Sequence, residues 1–549
     1  MTSSTISSCR CLVIFSPRSG IAGWALRGLA LAALGTIAPA QLLIAQAVAP
    51  VAARAPVEAR AVLHADQPGP TIAPEIYGQF SEHLGRGIYE GIWVGEDSPI
   101  PNTRGIRNDV IAALKHIHVP VVRWPGGCFA DEYHWRQGIG ARTARPIRVN
   151  SNWGGVEESN AFGTQEYFDF LGLVGARSYV TMNLGTGTPQ ELADWVEYIT
   201  SPSRSTLAQE RRHNGREAPW KLDYIGVGNE SWGCGGGMRP EYYADMLRHF
   251  STFIRLPDGQ TATRVAVGPN ADDYHWTEVL MANAANSIDA LALHYYTLPG
   301  GDWNHKLPAT EFTESDWIRT LQSTLHMDEL LTKHEAIMDR YDPARRVALD
   351  VDEWGLWHEV EPDTNPGFLF QQNTLRDALA AALNLHIFHR HAARVRMANI
   401  AQTVNVLQAM VLTQGDKLVL TPTYHVYDMY QVFQGATLLP LELDAPPYLY
   451  DGHSIPSVDA SAARDAAGVI HIAIVNLDPG RAATLTVKVA GAQPRGVSGR
   501  VLTALAMNAF NSFTAPAAVQ PVAFDDAAVQ GDGLTVTLPA KSLVVLDLN

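Results

Sequence analysis

Between Ile76 and Val404, short apolar runs bounded by turn residues alternate with segments whose apolar positions recur at helical spacing. The runs are Ile76 to Phe80, Val119 to Trp124, Tyr179 to Leu184, Tyr224 to Asn229, Val265 to Pro269, Ile288 to Tyr295, Val347 to Glu353 and Met397 to Val404. Runs this short and continuously apolar predict strands buried on both faces, as in a parallel sheet. The helical segments are Asn108 to His116, Thr164 to Leu173, Pro189 to Thr200, Pro240 to Ile254, Trp276 to Ala284, Glu314 to Tyr341 and Asn373 to His389. This alternation predicts an α/β chain with a (β/α)8 TIM barrel over residues 73–440. A doubly wound sheet is the competing topology. It would carry a glycine-rich phosphate turn after its first strand, and Gly85-Arg86-Gly87-Ile88-Tyr89-Glu90 lacks the third glycine.

After Pro440 the texture changes to short alternating segments such as Val469 to Val475, Ala483 to Val489 and Gly533 to Pro539, separated by Gly, Pro and Asp. That pattern predicts a C-terminal antiparallel β-sandwich domain over 441–549. Residues 48–72 read as a linker with a strand, Ala59 to Leu63, that would pair with the sandwich. No repeat of fixed period appears, which disfavours a solenoid or propeller.

Residues 1–47 have a different composition: Arg10, Arg18 and Arg27 precede an apolar stretch from Leu29 to Leu34, followed by small-residue sites at Ala38-Pro39-Ala40 and Ala45-Gln46-Ala47. The reading is an export signal peptide, which places the mature protein in the periplasm or outside the cell. An uncleaved membrane anchor is the rival, disfavoured by Gly35 and Pro39 within the apolar run. The formal charge of −15 disfavours nucleic acid as a partner, because that requires a concentrated basic face, and favours a neutral substrate.

Of the four cysteines, Cys9 and Cys11 fall in the leader, leaving Cys128 and Cys234, whose state as a bridge or as free thiols is open. Neither has metal-ligand spacing, and no metal or other cofactor is expected. Gly233-Cys234-Gly235-Gly236-Gly237 lacks the lysine and hydroxyl residue of a phosphate loop and reads as a cleft loop.

Two runs carry the chemistry. Ile225-Gly226-Val227-Gly228-Asn229-Glu230 and Leu349-Asp350-Val351-Asp352-Glu353-Trp354-Gly355 each deliver a glutamate near the end of an apolar strand. Barrel active sites lie at the C-terminal ends of the strands. Two carboxylates about 5 Å apart there would suit a retaining glycosidase, one protonating the leaving oxygen and the other attacking the sugar.

At this point the chain resembles glycoside hydrolase family 51, the α-L-arabinofuranosidases, over most of residues 57–549. The resemblance rests on six blocks in order: Phe80-Ser81-Glu82-His83-Leu84-Gly85-Arg86, Val122-Arg123-Trp124-Pro125-Gly126-Gly127-Cys128-Phe129, Asn183-Leu184-Gly185-Thr186-Gly187-Thr188-Pro189, Gly228-Asn229-Glu230, Asp352-Glu353-Trp354-Gly355 and Ala401-Gln402-Thr403-Val404-Asn405. It implies that Glu230 is the acid/base and Glu353 the nucleophile. It further implies sugar contacts from Glu82, Arg123, Asn229 and Gln402, with Cys128 near the furanose, and a homo-oligomer, a hexamer.

The residues themselves leave other roles open. Glu82 can pair with Arg86, Arg123 with a structural carboxylate, and Asn229 can form a turn. Period-two facing favours His294 and Tyr296 as contacts of Glu353 or the substrate. Trp357, in the loop after the nucleophile, is the better stacking surface of the two tryptophans there. Trp153 and the run from His83 to Trp93 would close one end of the pocket. The expected activity is retaining exo-hydrolysis of terminal non-reducing α-L-arabinofuranosyl residues from arabinan, arabinoxylan and arabino-oligosaccharides. A related retaining endoglucanase or xylosidase, or a non-catalytic carbohydrate-binding barrel, is the alternative. Trp232, directly after Glu230-Ser231, departs from the family pattern and bears on the leaving-group side.

Overall fold

In the computed structural model, which describes residues 55–549, eight parallel strands close into a barrel. They are Gly78–Phe80, Val121–Trp124, Arg177–Met182, Tyr224–Val227, Thr263–Ala266, Ala290–Thr297, Ala348–Leu356 and Val395–Ala401, and each neighbours the next in sequence, with the eighth closing on the first. The strands are buried on both faces, which explains their unbroken apolar runs. The first strand is shorter than its apolar run predicts, because Pro74–Tyr77 forms a 3-10 turn leading into it. The expected leader lies outside the described residues.

The interleaved helices start where the sequence supplies caps. Thr188 accepts from the Glu191 amide with Pro189 in the first turn, and Thr313 with Asp316 makes a reciprocal capping box at the start of Glu314–Tyr341. Two further helices follow no apolar period strong enough to be read. Thr206–His213 buries only Ala208 and Arg211, and Pro422–Tyr430 is short and rich in Tyr. Among the described residues no helix is long and apolar enough to cross a membrane.

Most of the C-terminal strands form two sheets, one of five strands and one of six, and Pro447–Tyr450 pairs with His453–Pro456 as a separate hairpin. Strand Val57–His64 joins the five-stranded sheet, running parallel to Ala483–Ala490 and antiparallel to Leu441–Asp444. Alternation then decides what each face of the six-stranded sheet meets. Ile472, Ile474, Val544 and Leu546 pack against the other sheet, while Ala473, Val475, Leu543 and Val545 join the hydrophobic core shared with the barrel helices. The sandwich therefore docks as a layer on the barrel, and the described residues, 55–549, lie in one compact unit.

One irregularity shapes the site. From Ala292↔Asp350 to His294↔Glu353, three steps on the seventh strand match two on the sixth, and the same slip occurs against the eighth between Val351↔Ala398 and Trp354↔Ile400. The extra residue is a β-bulge, and it turns both Asp352 and Glu353 toward the barrel interior.

Candidate active site

At the C-terminal ends of the strands lies a cavity of about 320 Å³. Glu82, Leu84, Cys128, Trp153, Glu230, Trp232, His294, Tyr296, Trp303, Glu353, Trp357, Leu369, Gln402 and Leu407 line it with Phe80, Gly127 and Asn270. Eight of the ten residues expected from sequence to catalyse or to contact the sugar are in this wall. The other two, Arg123 and Asn229, are buried outside it: Arg123 donates to Glu353 and, with its second nitrogen, to Asn229.

Glu230 follows the fourth strand through a sharp turn, with Gly228 at φ 89° and Glu230 itself at φ 38°. A non-glycine residue in the left-handed region is disfavoured, so its persistence here depends on the surrounding bonds. The Asn229 amide donates to Asp131 Oδ2 at 2.9 Å, and the Leu184 and Gly185 amides each donate to Asp131 Oδ1 at 2.8 Å. This buried aspartate ties the ends of strands three and four together, and burial pushes its carboxyl up to about 7 against those three donors. A β-carbon on Gly235 would stand 1.9 Å from the Asn229 carbonyl oxygen, so the glycine-rich loop is close backbone packing.

One oxygen of Glu230 and one of Glu353 lie within 4.8 Å of each other, with His294 between them. His294 Nδ1 is 2.9 Å from Glu230 Oε1 and 3.5 Å from Glu353 Oε2. Arg123 Nη1 donates to Glu353 Oε1 at 2.7 Å, and Tyr296 Oη donates to Glu353 Oε2 at 2.8 Å. Arg123 Nη2 donates to Asn229 Oδ1 at 2.5 Å. Burial, followed by the Glu353 charge, raises the Glu230 carboxyl above its ordinary range, although the His294 hydrogen bond opposes this. Burial disfavours charge on His294, yet Glu353, Asp352 and Glu230 outweigh it and hold the imidazolium up to about 10. Glu230, His294 and Glu353 converge closely enough to hold a cation, and a ring that kept both of its protons would offer no lone pair to one. The chemistry this arrangement favours is proton transfer beside a fixed carboxylate.

Glu82 closes the far side. Its Oε1 accepts from the Phe129 amide at 3.0 Å and Trp153 Nε1 at 2.8 Å, its Oε2 accepts from Gln402 Nε2 at 3.1 Å, and burial pushes it up to about 7 despite these donors. It does not pair with Arg86, which lies 3.7 Å from Glu90. Cys128 and Cys234 are joined by a disulfide, and the Cys234 sulfur lies 3.4 Å from Glu230 Oε2. At the mouth, the rings of Trp303 and Trp357 meet edge-on at 5.1 Å, and Trp357 packs edge-on against Tyr296 at 5.0 Å. Sequence reasoning passed over Asp131, Asp352 and Trp303. A tryptophan following Gly300-Gly301-Asp302 in the loop after strand six was the available signal for the last.

A family model described as the alpha-L-arabinofuranosidase 1 domain matches residues 113–308, and one described as the alpha-L-arabinofuranosidase C-terminal domain matches residues 352–542. An intracellular exo-alpha-L-arabinofuranosidase of Bacteroides ovatus is 48% identical over 513 residues, covering 93% of this chain and 99% of that protein. The crystal structure of the GH51 arabinofuranosidase from Xanthomonas axonopodis pv. citri matches with a TM-score of 0.89 at 57% identity, over 90% of this chain and 100% of its own. An alpha-L-arabinofuranosidase from Thermotoga maritima in arabinose complex matches with a TM-score of 0.79 at 29% identity, over 89% of this chain and 99% of its own.

The expectation of an exported, secreted protein is corrected by one of these relatives. The Bacteroides ovatus protein, matched over nearly its whole length, is named as intracellular. The signal peptide read into residues 1–47 rested on arginines ahead of an apolar stretch, a composition a segment can have without being an export address.

Proposed function

The chain belongs to glycoside hydrolase family 51, the α-L-arabinofuranosidases, and we propose that it works by a retaining double displacement with Glu353 as nucleophile and Glu230 as acid/base. It is an exo-acting α-L-arabinofuranosidase. The observation that carries the mechanism is the approach of the two carboxylates to within 4.8 Å, too close for a catalytic water between them and suited to direct attack.

In the first step a Glu353 oxygen bonds to the anomeric carbon while the leaving oxygen takes the proton from Glu230. In the second, Glu230 removes a proton from water, the water oxygen bonds to the same carbon, and the ester to Glu353 breaks. Two inversions give net retention. The Arg123 and Tyr296 donors hold the Glu353 oxygens in place. Asn229, oriented by Arg123, presents its amide toward the cavity side at Gly127, where a β-carbon would stand 3.5 Å from Asn229 Nδ2. Glu82 and Gln402 offer paired acceptors and donors to the ring hydroxyls, and Trp357 a face for the leaving group.

The cavity, at the small end of ligand-pocket volumes, supports release of single terminal arabinofuranosyl units from arabinan, arabinoxylan or their oligosaccharides. An NMR time course on an aryl α-L-arabinofuranoside should show the α-anomer of arabinofuranose forming first; the β-anomer first would refute retention. Assembly as a homo-oligomer, a hexamer, is checked by light scattering on the eluting peak.

A further inference from the structure

The bulge in strand seven places a third carboxylate, Asp352, among the reacting groups, and the two-step reaction above gives it no part. Asp352 is 2% exposed, and two of its neighbours, His294 and Arg123, each also touch a reacting carboxylate. Its Oδ1 lies 3.1 Å from His294 Nε2, whose other nitrogen sits on Glu230. Its Oδ2 accepts from Tyr179 Oη at 2.6 Å and lies 3.5 Å from Arg123 Nε, while Arg123 Nη1 holds Glu353.

An imidazole ring has two nitrogens, and here each faces a carboxylate oxygen. With Asp352 ionised, Nε2 keeps its proton; Nδ1 then either donates to Glu230 Oε1 from a charged ring or accepts the Glu230 proton in a neutral one, and the charges around the ring decide between the two. A ring that donates from Nδ1 fixes Glu230 Oε1 as an acceptor. The acidic proton of Glu230 then has one place left, Oε2. That oxygen meets the sulfurs of the Cys128–Cys234 bridge at 3.9 and 3.4 Å, and bridged sulfurs have no proton to donate, so nothing there competes with a proton on Oε2. With Asp352 uncharged or absent, a neutral ring could instead accept the Glu230 proton at Nδ1 and hold it away from the leaving oxygen.

We propose that Asp352 is a positioning residue for the acid/base: it keeps His294 a donor at both ring nitrogens and thereby confines the Glu230 proton to Oε2, the oxygen beside the disulfide wall of the cavity. The charged and titratable groups facing His294 are Glu230 from the end of strand four, Asp352 and Glu353 from strand seven, Arg123 from strand two and Tyr296 on its own strand. With Glu230 holding its proton, the charges of Asp352 and Glu353 against one guanidinium favour the cation, in line with the direction in which His294 is held. Asp352, though buried, is held below its ordinary range by Arg123 and His294 and so supplies its full negative charge.

The inference rests on Glu230 being the acid, and the test separates the two. Heteronuclear NMR of the full chain, with the His294 signals assigned by a His294→Gln variant, should show both ring nitrogens protonated up to about pH 9. In Asp352→Asn one of those protons should be lost within that range. The same variant should lose about 100-fold in kcat on a phenyl arabinofuranoside, and less than about tenfold on a dinitrophenyl one, whose departure needs no acid. A neutral His294 ring at pH 7 in the unmodified protein would overturn the proposal even if the variant failed to fold. So would Asp352→Asn with His294 still doubly protonated and equal losses on both substrates. Equal losses on both substrates in Glu230→Ala would instead remove the acid assignment itself.

Discussion

Arg123 Nη1 lies 2.7 Å from Glu353 Oε1, a charge-assisted bond between strands two and seven within the closed barrel. The same guanidinium reaches Asn229 Oδ1 at 2.5 Å and Asp352 Oδ2 at 3.5 Å. A planar fork can serve these partners at once, whereas an ammonium on a flexible stem concentrates its charge at one point. Arg123→Lys should therefore keep the charge and lose the geometry. Steady-state kinetics on an aryl α-L-arabinofuranoside should show kcat/KM falling by about 100-fold or more, as for loss of a preorganised donor. A variant within about threefold of the parent would show that the fork is not needed.

The two carboxylates are separated by their distinct losses. Glu353→Ala should abolish turnover, and added azide should restore it with a product of inverted anomeric configuration, because a small anion can occupy the vacated space and attack directly. Glu230→Ala should slow poor leaving groups by about 100- to 10,000-fold and activated aryl groups much less. Azide that fails to rescue a correctly folded Glu353→Ala protein would contradict the nucleophile assignment.

Both glutamates were legible in the sequence because the rule that reads them is simple: apolar runs give barrel strands, and the ends of barrel strands give the site. That Asp352 and Glu353 face the site together was not legible. Strict alternation from Asp350 puts Asp352 inward and Glu353 outward, and only the bulge, a property of three strands in register, brings both to the interior. The Cys128–Cys234 bridge was open for a similar reason, since it depends on how the loops after strands two and four meet. Helix Thr206–His213, in contrast, carries too few apolar residues to signal itself, and Arg211 is buried there by donating to the Tyr198 and Ser201 carbonyls. Local pattern identified the elements; contacts distant in sequence decided which polar groups became chemistry.

Stability should pass through a maximum in mildly acidic solution. Burial pushes Glu82 and Asp131 each up to about 7. A carboxyl raised in the folded state contributes stability that is complete below its unfolded value near about 4 and lost as pH rises through the folded value. His294, raised to about 10, is lost on the same side at higher pH. On the acid side, burial lowers His358, His386 and His389, and their contributions are complete above about pH 6.5 and lost as pH falls. Melting temperature measured across pH should peak between about pH 5 and 7. A melting temperature still climbing above about pH 8 would contradict the balance argued from these groups.

The seam between barrel and sandwich gives the sharpest stability test. His389, on helix Leu375–Arg390, has Nδ1 2.8 Å from Ser461 Oγ in the sandwich and Nε2 2.7 Å from Tyr77 Oη at the entry to the first barrel strand. All three side chains are buried, so a neutral ring is shared between two hydroxyls with no water to replace it. His389→Leu fills much of the same space but leaves both hydroxyls without that partner. Each such loss costs about 1–3 kcal/mol, and the variant should be destabilised by at least that much in chemical denaturation. It should also lose less stability on acidification than the parent, because the ring that resists protonation there is gone. Equal stability at neutral pH together with an unchanged acid limb would mean that the seam is held by its apolar contacts alone.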